Sequence, residues 1–407
     1  MVDLPGRAGR YISQPTGYRA FMPVDLPPQP PLSFDGDMIG LLAGAADALG
    51  RLDGVTQTIP NPDLFVAMYV RREAVLSSQI EGTQSTLDDV LAFELDPGRP
   101  GLPDDVEEVV NYVRAMNHGL TRMAELPLSL RLLREIHAEL LRTGRGREKD
   151  PGEFRRSQNW IGPGGAGVAD ATFVPPPPHE MNLSLGHLER FLYMNHRLSP
   201  LVECGLVHAQ FETIHPFLDG NGRVGRLLIT FLLVRRGVLH RPLLYLSYYL
   251  KRHRGEYYDR LTAIRERGDW ESWLGFFFRG VQWTASEAVR TARTVLSLRE
   301  DHQHRVADAL GINGVRTLDV LFARPLINVS LVAEKLGVTF ATANKVVDGL
   351  QSFGVLEEIT GGRRNRVFRY TPYLALFTEA VEEVEPHTPV ETTGAQHAIV
   401  GQPPAER

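Results

Sequence analysis

The sequence predicts an all-α fold with a small helix-and-strand module at its C-terminal end. Apolar residues recur at helical spacing from Met38 onward, as at Leu41, Leu42 and Ala45. The same periodicity continues in the segments 106–120, 129–141, 181–194, 200–214 and 223–236. Patterns typical of strands are scarce before Leu356. Together these observations indicate a helical core that is interrupted by very little sheet.

Composition and charge limit the classes of function. The chain has 407 residues, of which 43% are hydrophobic and 23% charged, as in soluble globular proteins of about two or three domains. Its net charge of −5 argues against a protein that coats nucleic acid, although a local basic surface could still bind DNA. The single cysteine, Cys204, lies in an apolar run and fits a core residue of a cytoplasmic protein. We find neither a signal peptide nor an apolar run long enough to span a membrane.

The first part of the chain divides into an arm and a helical region. Residues 1–36 are rich in Pro and Gly, which predicts an extended arm across a domain surface. Residues 37–125 predict helices with a break at Gly82. A new helix is expected at Ser85, because Ser85 and Asp88 have the spacing of a capping box. Residues 126–300 continue the helical pattern and form the predicted central domain.

One stretch of the central domain departs from the helical pattern. Residues 160–178 contain several glycines and end in four consecutive prolines, with Thr172, Phe173 and Val174 just before them. Glycine and proline end helices, whereas the three residues before the prolines favour a strand. The segment from Trp160 to Val174 therefore predicts a short, exposed β-hairpin between helices.

Residues 301–378 predict a small winged helix-turn-helix domain. Helical segments at 330–336 and 339–353 are separated at Gly337, and a strand, a turn and a strand follow over 356–370. DNA phosphate would suit its basic and polar residues, which are Asn344, Lys345, Arg363, Arg364, Arg366 and Arg369. The alternative is that the module serves domain packing or dimerisation and does not bind DNA. The polar, acidic tail at 379–407 is predicted to be disordered.

The twelve residues from His215 to Arg226 carry the chemistry. They join two predicted helices, and the free N–H groups at the start of the second helix favour an anion. Gly220 and Gly222 allow close approach of a phosphate, and Arg223 shares a helical face with Arg226, so both can bind phosphate oxygens. Carboxylate oxygen binds Mg²⁺ together with substrate phosphates, which is the role expected of Asp219. His215, at the other end of the loop, can serve as a base for an incoming hydroxyl.

A tight glycine turn capped by surface charges is the alternative interpretation of this loop. Asn221-Gly222 alone would fit it. Eight specified residues in twelve positions, however, recur by chance at roughly 10⁻⁹ per starting position, given ordinary residue frequencies. A nucleotide site is therefore favoured.

The loop resembles the signature of the Fic family, H-x-F-x-[D/E]-G-N-G-R-x-x-R, at every defined position. The resemblance implies a helical core with a β-hairpin flap, and transfer of AMP from ATP to a Ser, Thr or Tyr hydroxyl of a protein, including the enzyme itself. It implies that His215 is the general base, that Asp219 binds Mg²⁺ and that Phe217 anchors the loop in the core. The phosphate-binding set implied is Gly220, Asn221, Gly222, Arg223, Gly225 and Arg226. The Doc-type kinase branch lacks the second glycine and this arginine spacing, which favours nucleotidyl transfer.

Residues 77–82 resemble the inhibitory motif of the same family, [S/T]-x-x-x-E-[G/N]. The spacing places Ser77 and Glu81 on one helical face, and Gly82 lets the chain leave that helix. The resemblance implies that Glu81 pairs with Arg226 and holds ATP in a non-productive pose, within an inhibitory set of Ser77, Ser78, Glu81 and Gly82. In some relatives this glutamate also supports removal of AMP, and the sequence leaves that activity open.

Several functional alternatives remain at this level. Tyr258 and Leu261 have helical spacing and could line an adenine pocket or be ordinary core residues. The flap at 160–174 would hold a target protein by strand addition. A DNA-binding regulator that only senses ATP and a Fic enzyme with another nucleotide donor are both conceivable. The intact His215 favours catalysis, because sensing requires no base. A homodimer is expected by analogy, whereas nothing in the sequence identifies the target protein.

Overall fold

The computed structural model describes residues 6–57, 62–163, 165, 167–194, 196–362, 364–382 and 397–398. Within these ranges the chain is mainly helical. The helices are α1 (Gly36–Gln57), α2 (Pro62–Ile80), α3 (Leu87–Leu95), α4 (Val106–Arg122), α5 (Leu130–Leu140), α6 (Pro178–Tyr193), α7 (Pro200–Ile214), α8 (Asn221–Arg235), α9 (Ser247–Arg252), α10 (Arg254–Arg267), α11 (Trp270–Ala323), α12 (Val329–Leu336), α13 (Phe340–Ser352) and α14 (Thr371–Glu382). The strands are β1 (Gly9–Ser13), β2 (Arg19–Pro23), β3 (Gly162–Pro163), β4 (Leu326–Asn328), β5 (Glu357–Glu358), β6 (Val367–Arg369) and β7 (His397–Ala398).

Helices α7 and α8 form the centre of the molecule. Every residue of α7 from Leu201 to Ile214 is buried, and so is most of α8. A helix that is buried on all sides must be surrounded by other elements, here chiefly α6, α10 and α11 around α7, and α4 and α5 beside α8. Cys204 is buried in α7 as expected. The short loop between α7 and α8 is therefore held by two fixed helix ends.

The N-terminal arm contains a hairpin that the sequence did not suggest. Strands β1 and β2 pair antiparallel, with Gly9 opposite Pro23 and Ser13 opposite Arg19. The Phe21 N–H donates to the carbonyl of Val174 at 2.9 Å, and the Phe21 ring is fully buried. The sequence predicted an extended arm and not this hairpin, because five-residue strands are too short to give a clear alternation and owe their stability to this packing.

The segment predicted as a flap does fold back on itself. Ile161 and Phe173 exchange two backbone hydrogen bonds of 2.8 and 3.0 Å in an antiparallel bridge. Between them, Val168–Asp170 forms one 3₁₀ turn, and β3 pairs with β7. Residues 164 and 166 of this segment lie outside the described residues. We call residues 160–174 the flap from here on.

The inhibitory segment ends where the sequence predicts. Helix α2 stops at Ile80, and Gly82 has a φ of +98°. The next helix begins one residue later than expected, because Thr86 and Asp89 form the capping box. Ser85 does not cap this helix, because its hydroxyl donates to the carboxylate of Asp105.

The C-terminal part has the predicted helices α12 and α13 and the predicted strands β5 and β6, and in addition β4 and α14, which were not predicted. Helix α11 runs through the boundary expected at residue 301 and is interrupted only at Gly311. Helix α14 continues to Glu382, past the start of the tail predicted at 379, because Tyr373 and Phe377 are buried in the core. The rest of that tail, apart from β7, lies outside the described residues. The sheet order is β4-β6-β5, with α12 and α13 packed on each other.

No described helix combines the length and the apolar character that crossing a bilayer requires.

Candidate active site

Hydrogen bonds from a side chain within the loop fix the conformation of the loop between α7 and α8. His215 ends α7 in the left-handed conformation, with φ of +49°, and Gly220 precedes α8 with φ of +77°. The Asn221 side chain accepts from the Phe217 N–H and donates to the Phe217 carbonyl, both at 2.8 Å. Asn221 therefore fixes the conformation of the loop through its side-chain amide.

Phe217 anchors the loop as predicted. Its buried ring stacks on His137 of α5, with ring centroids 3.7 Å apart. The His137 Nδ1 accepts from the Gly152 N–H at 2.8 Å, so its Nε2 carries the proton and donates to the Asp219 carbonyl at 3.0 Å. Burial lowers the pKa of His137 to about 4, which keeps the ring neutral. No local pattern in the sequence marks His137 as part of the site.

His215 has a buried and neutral imidazole. It is 8% exposed, and its carbonyl accepts from Arg155 Nε at 2.9 Å. Burial, helped by the positive charge of Arg155, lowers the pKa of His215 to about 3. Its Nδ1 has no hydrogen-bond partner among the described residues. The ring is therefore neutral at physiological pH, as a general base requires.

A cavity of about 500 Å³ opens beside the loop. The predicted residues that line it are His215, Asp219, Gly220, Asn221, Gly222, Arg226, Tyr258, Leu261 and Glu81. The flap residues Trp160, Ile161, Thr172 and Phe173 form another part of its wall. Residues that are far apart in sequence thus meet around one space, which both His215 and the start of α8 line.

Two residues of the predicted phosphate-binding set lie elsewhere. Gly225 faces the interior, where its carbonyl is 2.9 Å from His208 Nδ1 and an added Cβ would collide with Glu212. Gly225 therefore permits close packing of α7 on α8 and does not line the cavity. Arg223 is only 1% exposed, and its Nη1 donates to Glu108 at 3.2 Å. Its Nε and Nη2 have no hydrogen-bond partner in the described part of the chain.

The predicted pairing of Glu81 with Arg226 is present. Glu81 Oε1 accepts from Arg226 Nη2 at 2.7 Å, and Ser77 accepts from the same guanidinium through its hydroxyl at 2.7 Å and its carbonyl at 3.0 Å. Burial opposes ionisation of Glu81, but Arg226 outweighs it and holds the pKa of Glu81 below its ordinary value. Ser78 takes no part through its hydroxyl, which lacks a partner among the described residues.

Helix α10 contributes aromatic, apolar and charged residues to the cavity wall. Tyr258 and Leu261 line it together with Tyr257 and Thr262 of the same helix. Leu261 and Tyr257 are also part of the hydrophobic core, so the two interpretations of Leu261 are compatible. Arg265 lies over the Phe173 ring at 3.9 Å and joins α10 to the flap.

Further charged residues of the cavity wall were not predicted from sequence. They are Arg145, Glu148, Lys149, Glu212, Asp259 and Arg265. Glu212 is buried, its Oε1 has no partner among the described residues, and burial raises its pKa to about 7. These residues come from separate segments of the chain, so only the fold brings them together.

A nucleotide and its metal ion fit the groups that are present. Arg223 is buried, and its Nε and Nη2 have no hydrogen-bond partner among the described residues. The Nη2 atom lies 3.7 Å from Asp219 Oδ1. Phosphate oxygens are acceptors that would satisfy these N–H groups. The described residues contain no cluster of three or more metal-binding side chains. Asp219 would therefore hold Mg²⁺ jointly with phosphate oxygens, which is how Mg²⁺ commonly binds.

Comparison with known proteins agrees with this geometry. Residues 39–121 match the Fic/DOC family N-terminal region and residues 127–233 match the Fic/DOC family. A protein adenylyltransferase Fic from Aedes aegypti is 34% identical over 151 residues, 37% of this chain and 27% of that protein. The Drosophila melanogaster protein of the same name is 30% identical over 176 residues, 42% of this chain and 32% of its own. The chain thus spans about a third of these relatives.

A solved structure matches over more of the chain. A Fic family protein from Desulfovibrio desulfuricans G20 is similar with a TM-score of 0.53 at 19% identity, covering 84% of this chain and 98% of that one. At this identity the likeness concerns the fold alone. Residues 39–121 and 127–233 of this chain are therefore domains of the Fic/DOC family.

Proposed function

We propose that this protein transfers AMP from Mg-ATP to a Ser, Thr or Tyr hydroxyl of a target protein and of itself. One observation carries the proposal: the neutral imidazole of His215 and the N-terminus of α8 face the same 500 Å³ cavity. A base next to an anion site is the arrangement that hydroxyl attack on a phosphate requires. The relatives named protein adenylyltransferase Fic support the same reaction.

Each residue of the loop is proposed to have a separate role in the reaction. The N–H group of Gly222 would bind phosphate oxygens at the positive end of α8, and Arg226 would bind further oxygens once Glu81 leaves it. The Gly220 N–H donates to Asp219 Oδ1 at 2.6 Å and would join them only when that bond opens. His215 would accept the proton of the hydroxyl as its oxygen forms a bond to the α-phosphorus. The bond between the α-phosphorus and the bridging oxygen then breaks, and pyrophosphate leaves with both electrons of that bond. Asp219 would hold Mg²⁺, which reduces the charge on the phosphates when it is bound.

Glu81 is proposed to keep the enzyme inhibited. Its carboxylate satisfies Arg226, which is buried, and it lies against Gly222, where a Cβ would collide with it. The phosphate end of the cavity therefore contains a negative charge in place of a free cation. Like charges repel strongly at a site with so little solvent, so productive binding of the triphosphate requires Glu81 to move.

The target protein is proposed to bind at the flap. The backbone of Ile161 and Phe173 is already in a β-bridge, and β-strand addition needs only main-chain hydrogen bonds. Recognition of this kind depends little on side chains, so the flap is a site for extended peptide segments of varied sequence.

DNA binding by the C-terminal module has weaker support than the sequence suggested. Arg366 donates to Asn344 at 2.9 Å, and Arg369 pairs with Asp88 of α3 at 2.7 Å. Two of the arginines expected to contact DNA thus have partners within the protein, which favours a packing role for the module. Dimerisation remains a prediction from the family resemblance.

Radiolabel transfer tests the proposed reaction and its base. Wild type, Glu81→Gly and His215→Ala are incubated with α-³²P-ATP or γ-³²P-ATP, alone and in cell lysate. We expect protein-bound label only from the α position, strongest for Glu81→Gly and absent for His215→Ala. Label from the γ position would make the protein a kinase. Parallel reactions with labelled CTP, GTP and UTP test the donor, and label from one of them alone would replace ATP.

A further inference from the structure

Glu108 of helix α4 contacts two arginines, Arg223 in the first turn of α8 and Arg145. Its Oε2 lies 3.2 Å from Arg223 Nη1 and 3.4 Å from Arg145 Nη2. The side chains of Glu108 and Arg223 are only 5% and 1% exposed, so the contact between them is shielded from water, whereas Arg145 is half exposed. We propose that Glu108 is a positioning residue that holds Arg223 and Arg145 as a pair for the phosphates of the nucleotide. This inference rests on the proposed function and adds two groups, Glu108 and Arg145, to its site.

The hydrogen-bond pattern of Arg223 supports positioning. Glu108 binds one amino group, Nη1, while Nε and Nη2 have no partner among the described residues. A buried guanidinium with only one of its groups satisfied is costly unless a ligand satisfies the rest. The carboxylate therefore fixes the orientation of Arg223 and leaves donors free for phosphate oxygens.

The same face of α4 also shapes the segment that carries Arg145. Asn111, one turn after Glu108, donates to the Thr143 carbonyl at 3.0 Å and to the Thr143 hydroxyl at 2.9 Å. At Gly144 an added Cβ would lie 3.3 Å from Glu108 Cγ, so the segment passes close to the acid. Arg145 follows at the cavity wall with 51% of its side chain exposed. It is thus accessible to a ligand while Glu108 limits its orientation.

Loss of the Glu108 charge would redirect Arg223. The nearest other carboxylate is Asp219, whose Oδ1 lies 3.7 Å from Arg223 Nη2 on the side that faces the cavity. An unrestrained guanidinium would close that gap and form a direct pair, because buried opposite charges attract strongly. Both groups would then be lost to the nucleotide. Glu108 prevents this by holding Arg223 from the opposite side.

Calorimetric binding of ATP, ADP and AMP tests the proposal without relying on transfer activity. In the Glu81→Gly protein, where Arg226 is free, we expect Glu108→Gln to weaken ATP and ADP binding about tenfold, as for loss of one oriented charge-assisted contact. AMP binding should change less than about twofold, because AMP lacks the outer phosphates. The matched control is Glu107→Gln on the same turn of α4, which should leave all three affinities unchanged.

A double-substitution cycle separates positioning from a general structural effect. If Glu108 acts through the two arginines, Glu108→Gln should have no further effect on ATP affinity in a protein that already carries Arg223→Ala and Arg145→Ala. Equal weakening of ATP and AMP, or unchanged or tighter ATP binding, would overturn the proposal. ATP binding without label transfer in the Glu81→Gly protein would instead contradict the proposed function alone.

Discussion

Glu81 Oε1 lies 2.7 Å from Arg226 Nη2, although 145 positions separate the two residues in the chain. The contact joins the end of α2 to the first turns of α8, and Ser77 binds the same guanidinium from one turn earlier on α2. Arg226 is thus satisfied by three acceptor atoms from a single helix face. Because this face carries both a charged and a neutral ligand of Arg226, the strength of the pairing can be altered without removing the carboxylate.

Ser77→Ala should activate transfer partially. The substitution removes the 2.7 Å hydrogen bond from Arg226 Nε and leaves Glu81 in place, so the pairing with Arg226 is weakened by roughly 1–2 kcal/mol. We expect label incorporation from α-³²P-ATP to rise several-fold over wild type and to stay below that of Glu81→Gly. The control is Ser78→Ala, whose buried hydroxyl has no partner among the described residues. Equal rates for the two alanine proteins would show that Ser77 does not contribute to the pairing.

His137→Phe should lower the rate of transfer more than it affects nucleotide binding. The phenyl ring can keep the stacking on Phe217, but the hydrogen bonds to the Asp219 carbonyl and from the Gly152 N–H are lost. A buried N–H left without a partner costs about 1–3 kcal/mol, and the loop that carries Asp219 loses one anchor. In the Glu81→Gly background we expect kcat to fall about tenfold or more, with KM for ATP changed less than about threefold. His179→Phe, at an exposed position of α6, is the control and should change neither.

The parts of the site that follow from local sequence were predicted, and the parts that depend on packing were not. Gly220 has the left-handed conformation that its place before a helix predicts, and Glu81 has the partner that the family resemblance implies. The packing of Gly225 against Glu212 and the hydrogen bonds of Asn221 within the loop were not predicted, since they depend on what α7 and the loop place beside these residues. A motif shows which residues are required, but not which of them contact the ligand.

The same distinction applies to the fold. Helix α7 was predicted with its observed bounds, because its apolar residues and the Ser199-Pro200 start are local signals. The β1–β2 hairpin was missed, since its burial comes from contact with the flap, which is distant in the chain. Glu108 and Arg145 could not be predicted, because no local pattern distinguishes them from ordinary charged residues. Their contacts depend on the packing of α4 against α8.

Gly225→Ala should destabilise the protein, whereas Gly186→Ala should not. Both glycines lie inside helices, but a Cβ at Gly225 would collide with Glu212 and pack against Phe211, whereas at Gly186 it would meet nothing within 4 Å. We expect Gly225→Ala to lower the free energy of unfolding by about 1–3 kcal/mol, as overpacking does. Gly186→Ala should raise it by about 0.5–1 kcal/mol through helix propensity. Urea denaturation at one pH measures both, and a loss of equal size for the two proteins would contradict the packing role of Gly225.

Glu73→Gln should stabilise the protein at alkaline pH and have little effect at acidic pH. Glu73 is buried in α2, where it accepts from the Ser247 N–H at 3.1 Å and from the Tyr112 hydroxyl at 3.3 Å. Burial raises its pKa from the ordinary 4.5 to about 7, against the opposing effect of the bonds from Ser247. Between these two values the folded protein keeps a proton that the unfolded chain has released. Stability from this group is therefore present at low pH and is lost as pH rises towards 7.

The size of that effect follows from the pKa difference. At about 1.36 kcal/mol per pKa unit, the loss between about pH 4.5 and pH 7.5 is about 3 kcal/mol, and the substituted glutamine has no charge to bury. Urea denaturation at about pH 5 and pH 8 should therefore show that the advantage of Glu73→Gln over wild type grows by up to this amount at the higher pH. Glu300→Gln, at an exposed position of α11, is the control, and its unfolding free energy should follow that of wild type at both pH values. An advantage of Glu73→Gln that is equal at the two pH values would mean that Glu73 is ionised in the folded protein throughout this range.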